Sequence, residues 1–162
     1  MRASLSTLTP RFSGARMVSE YDERYYRPAR REVARRLADG GAVARGLDAW
    51  ATRVATHWPG LRLGHLEIRP RDTGAEIVVE AYLDDLVAGD VAVELFAESA
   101  SAGGEPVRVP MTASPLPGSA HGFLFSAVVA GDGPPSAYTP RIVPASAAAE
   151  VPLELPLVAW HH

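Results

Sequence analysis

Hydrophobic period changes abruptly at Pro59-Gly60, and a chain with two periods must build two kinds of structure. Before that turn, apolar residues recur three and four apart, the spacing that lines one face of a helix. Ser13 is placed as the N-cap of a helix from about Ala15 to Tyr26, with Met17, Tyr21 and Tyr25 on its stripe and Glu20, Glu23 and Arg24 on its other sides. Pro28 suits a first helical turn, so a second helix is expected from about Pro28 to Leu37, burying Val33 and Leu37 and ending at Gly40-Gly41. A third, from about Leu47 to Trp58, presents Leu47, Trp50, Val54 and Trp58.

From Leu61 onward the pattern is one of short, β-rich runs: Leu61 to Ile68, Glu76 to Leu83, Val91 to Phe96, Val107 to Met111, Phe123 to Val129 and Tyr138 to Val143. Turn-forming clusters such as Arg71-Asp72-Thr73-Gly74 and Ala88-Gly89-Asp90 separate them, with no helical period between. That spacing predicts an antiparallel β-sandwich of about six or seven strands. Pro106, Pro110, Pro140 and Pro144 fall at strand ends or edges, where a missing amide does least harm. The expected fold class is therefore α+β, mainly β, with a helical segment over residues 1–60 and a sandwich over 61–162.

Composition narrows the chemistry. The 162 residues contain no Cys, which excludes disulfides, thiol nucleophiles and Cys-ligated metals. They also contain no Lys, because all 16 basic residues are Arg, so no side-chain amine can form a Schiff base. No apolar run approaches the roughly 18 residues of a membrane span, and the expectation is a cytoplasmic protein with no membrane partner. Residues 1–58 hold eleven Arg against six acids, net +5; residues 59–162 hold five Arg against thirteen, net −8. The basic half is interleaved with Glu20, Asp22, Glu23 and Glu32, as on a solvated helix face, and no nucleic-acid partner is expected.

Residues that invite a catalytic reading fare poorly. Asp84-Asp85, with Glu80 and Glu94 nearby, would need to face each other across a substrate, whereas adjacent aspartates at a strand end point to opposite faces, and a polar strand end or turn is expected instead. His57, His65 and His121 are scattered, so no metal ligands are assigned, and the terminal His161-His162 are given no role. No Gly-x-Ser-x-Gly elbow or phosphate-cradling loop occurs. The aromatic residues Trp50, Trp58, Tyr82, Phe96, Tyr138 and Trp160 offer flat faces on which a glucan could stack; at helical spacing, Trp50 and Trp58 more readily seal a helix–sheet core.

The segment Thr9-Pro10-Arg11-Phe12-Ser13-Gly14-Ala15-Arg16-Met17-Val18-Ser19-Glu20-Tyr21, followed by Tyr25-Tyr26-Arg27-Pro28-Ala29, resembles the end of the catalytic region in bacterial α-glucan (glycogen or maltodextrin) phosphorylases. Downstream, Trp50, the Trp58-Pro59-Gly60 turn, Gly89 to Leu95, Arg141-Ile142-Val143-Pro144 and Leu157-Val158-Ala159-Trp160 are similar to the β-rich tail of the long, actinobacterial-type members. Pro140 before Arg141 and the linker from Ala29 to Leu47 depart from that pattern. The resemblance implies a parent that transfers glucosyl units from α-1,4-glucan to phosphate, using pyridoxal phosphate held on a lysine upstream of the matched region. It implies no catalytic or cofactor residue here. The expected role is a C-terminal fragment or accessory domain whose partner is the phosphorylase catalytic portion, or a second copy met through the helical segment. The alternative is a free-standing carbohydrate-binding module with α-glucan as partner, and a third reading is an unrecognised hydrolase.

Overall fold

The structure is a computed structural model describing residues 14–99, 103–130 and 134–162; the Ser13 cap and the residues before it lie outside the described ones. Two compact units follow one another along the chain, Met1–Gly46 and Leu47–His162.

The described part of the first unit is helical. Helix α1 (Gly14–Tyr21) runs into a wider π-helical turn, Asp22–Tyr26, closed by the Arg27 amide donating to the Asp22 carbonyl. Proline supplies the reason: Pro28 has no amide to offer the carbonyl of Arg24, and its ring crowds that carbonyl, so the preceding turn opens by one residue. The chain thus passes into α2 (Arg27–His57) without the interruption that Pro28 suggested. The interruption comes at Ala38–Gly41, where Asp39, Gly40 and Gly41 all have positive φ, as the Gly-Gly pair foretold. Arg45 Nη1 donates to the Gly40 carbonyl at 2.6 Å across this break. Val33 and Leu37, expected to be buried, are instead 55% and 67% exposed.

The second unit is the expected mainly-β sandwich with helix, its described residues forming eight strands where about six or seven were expected. Strands β1 (Arg62–Pro70), β2 (Ala75–Tyr82), β5 (Thr112–Pro115) and β6 (Gly122–Val129) form one antiparallel sheet in the order β1-β2-β6-β5. Strands β3 (Val91–Ala97), β4 (Val107–Pro110), β7 (Thr139–Pro144) and β8 (Ala159–Trp160) form the other, in the order β4-β3-β7-β8. The two additions are β5, split from β4 at Met111, and the two-residue β8, too short for a period of two to reveal.

Alternation along each strand selects the core: Ile77, Val79 and Ala81 from β2, Val91, Val93 and Leu95 from β3, Phe125 and Val129 from β6, and Ile142 from β7. The later part of α2 belongs to this unit and places Trp50 and Val54 in the same cluster. Arg53 and Asp90 tie that helix to the loop before β3, Nη2 lying 2.5 Å from Oδ1 of an aspartate that is only 5% exposed. Asp90 Oδ2 also accepts the Val87 amide.

Candidate functional site

The aromatic residues singled out in the sequence do not converge on one surface. Trp50 is buried in the core, its Nε1–H without a hydrogen-bond partner among the described residues, and Trp58 and Tyr138 are half-buried against the same cluster. Tyr82 lies on the outer face of the first sheet, its hydroxyl donating to Glu80 Oε2 at 2.9 Å and its ring under the Arg62 guanidinium at 4.4 Å. Phe96 and Trp160 alone meet, edge to face, with ring centroids 5.4 Å apart.

That pair is the centre of the most built surface of the sandwich. Inward residues of β3 and β7 pair as Val93↔Ile142 and Leu95↔Pro140, so Glu94↔Arg141 must fall on the opposite, outer face. Arg141 is held there from three sides. Its Nε and Nη2 donate to Glu94 Oε1 at 2.8 and 2.5 Å, and its Cζ sits 4.3 Å from the Phe96 ring centre and 5.0 Å from that of Trp160. The planar guanidinium suits this combination of fork and stack. Beside it opens a groove of about 380 Å³ whose wall is the Pro-rich strap through Val151, Pro152, Pro156, Leu157 and Val158, with Arg108 and Val143 on the sheet side. The groove itself offers an arginine–glutamate pair and an apolar wall, and the two aromatic rings lie outside its lining.

A second cluster gathers at the end of α2. Asp84 and Asp85 occupy the turn after β2, as the reading of a polar strand end or turn allowed, and Asp84 has φ +53. The left-handed residue breaks the strand alternation, so the two carboxylates do not diverge as expected. They come together with His57, one ligand atom of each residue lying within 4.8 Å of the others, and His57 Nδ1 is 3.0 Å from Asp84 Oδ2. Glu80 and Glu94, the other acids considered, are engaged elsewhere by Tyr82 and Arg141, on different sheets. Sequence spacing compared His57 with other histidines and overlooked these aspartates, 27 residues on, because only the fold joins a helix end to a strand turn.

The helical unit carries a surface of its own. Met17, Tyr21 and Tyr25 are all more than half exposed, and the two tyrosine rings stack in a tilted pair 5.6 Å apart. With Glu20 and Arg24 these residues line a shallow depression along one helical face. No helix among the described residues is long and apolar enough to cross a membrane.

Fold and surfaces together define an antiparallel two-sheet β-sandwich domain with a helix packed into its core. Comparison with known proteins narrows this class: residues 58–162 match the family described as "Glycogen phosphorylase C-terminal domain", and the chain belongs to that family. It is similar to "Maltodextrin phosphorylase" of Thermococcus litoralis (strain ATCC 51850 / DSM 5473 / JCM 8560 / NS-C), with 30% identity over 96 residues. That alignment covers 59% of this chain and 11% of the relative, so the chain spans only a small part of that protein's length. No solved structure matches it.

Proposed function

We propose that this chain is a non-catalytic C-terminal portion of a glycogen or maltodextrin phosphorylase-like protein, acting by structure and association in cytoplasmic storage-glucan metabolism. The observation that carries this reading is the pairing of a phosphorylase C-terminal domain over residues 58–162 with a sequence that has no lysine. Pyridoxal phosphate does not fit the residues present, since no lysine side chain is available to hold it as a Schiff base, and no catalytic step is derived through it. The exposed Met17, Tyr21 and Tyr25 stripe supports a partner for the helical unit, either the catalytic portion or a second copy.

Phosphorolysis of maltodextrin by the pure chain, alone and mixed with a catalytic portion lacking this region, tests the reading. Glucose 1-phosphate release by the mixture alone is expected; turnover by the isolated chain refutes it. The alternative of a free-standing carbohydrate-binding module draws on the Phe96, Trp160 and Arg141 surface with its adjoining groove. Retention on insoluble starch that disappears in Trp160→Ala, without an effect of the chain on phosphorolysis, would favour it.

A further inference from the structure

We infer that the corner formed by His57, Asp84 and Asp85 binds a divalent first-row transition-metal cation such as zinc or cobalt. Three donor side chains from two distant parts of the chain already converge within 4.8 Å. One imidazole nitrogen and two carboxylate oxygens make a mixed donor set suited to such borderline cations, leaving the remaining coordination positions to water.

Electrostatics at the corner lacks a counter-charge. Asp85 has no side-chain partner among the described residues, and the contact recorded for the Asp84 carboxylate group is His57, which brings a positive charge only when protonated. Two neighbouring carboxylates therefore face each other without an arginine between them. His57 is also the last residue of α2, where unsatisfied carbonyls give the helix end a partial negative charge. Besides these two aspartates, residues 59–162 hold eleven acids against five Arg. All three fields attract a cation.

Backbone geometry seats Asp84 independently of its charge. A Cβ on Gly60 would lie 2.9 Å from Asp84 Oδ2, so the carboxylate rests on the bare backbone of the Trp58–Gly60 turn, in a cradle that any side chain would fill. Donors bound at about 2.0–2.2 Å from one ion lie roughly 3–3.5 Å apart. His57 and Asp84 are at that separation already, 3.0 Å, and a carboxylate oxygen of the exposed Asp85 lies within 4.8 Å of both.

The test uses the full chain, stripped with a chelator and carrying His161→Asn and His162→Asn so that the terminal pair cannot bind. Cobalt is titrated by visible absorption and zinc by calorimetry, and melting is followed with and without zinc. One equivalent of metal is expected, with affinity at least tenfold weaker in Asp85→Asn and in His57→Gln. Zinc should raise Tm in the parent and not in Asp85→Asn, whose metal-free Tm stays that of the parent. Loss of all binding on removing His161 and His162, or equal affinity in the parent and the Asp85→Asn variant, overturns the inference. This outcome is separate from the phosphorylase reading, which the cobalt and zinc titrations do not touch.

Discussion

Replacing Arg141 with alanine should unfold the sandwich more readily than any other single change on its outer faces. The side chains of Arg141 and Glu94 are only 14% and 18% exposed, so truncating the arginine leaves a largely buried carboxylate without its donor. Breaking one side of such a pair costs about 3–5 kcal/mol. The two ring contacts, at 4.3 and 5.0 Å, are worth about 0.5–1 kcal/mol each and raise the expected loss to roughly 4–7 kcal/mol. In urea, with a slope of about 1–3 kcal/mol per molar, the midpoint should fall by about 1.3 M or more. A double-mutant cycle with Glu94→Ala separates the pair from the stack, and Arg141→Met with Glu94→Leu should recover most of the stability, because a packed apolar pair avoids desolvating charge. A loss below about 1 kcal/mol for Arg141→Ala would mean that water reaches the pair, and the stacked, desolvated geometry would then be wrong.

Three further outcomes follow from the same structure. Asp90 is held below the usual carboxylate range, first by its hydrogen bond from Arg53, and this outweighs the opposing effect of burial. Its folded pKa is lower than its unfolded one, so the stabilisation is present above about pH 4 and is lost as pH falls through the folded value; denaturation curves of Asp90→Asn should show a weaker acid dependence there. Trp50→Phe should cost less than about 2 kcal/mol by thermal melting despite its central position, since it removes a buried Nε1–H that has no acceptor among the described residues. Tyr21→Ser with Tyr25→Ser should abolish association with a phosphorylase catalytic portion, or with a second copy, in sedimentation velocity, while circular dichroism of the sandwich stays unchanged.

The β-rich class, the place where helix gives way to strand and the family resemblance were all legible in the amino-acid order. Each rests on local information: the period of two in Ala75–Tyr82 and Val91–Ala97, the turn residues between strands, and the Gly40-Gly41 break. The tertiary structure decided what locality cannot encode. Burial of Val33 and Leu37 was expected from period alone, yet a stripe is buried only when another surface covers it, and none does so in the described chain. Whether Asp84 and Asp85 point apart or together depended on one left-handed backbone angle. Their meeting with His57 depended on a helix end packing beside a strand turn, and the Arg141 stack on the register that sets it against Glu94 and Trp160. Register and packing are long-range properties, fixed by the shared core rather than by neighbours in the chain, and the surfaces that can bind something were therefore legible only in three dimensions.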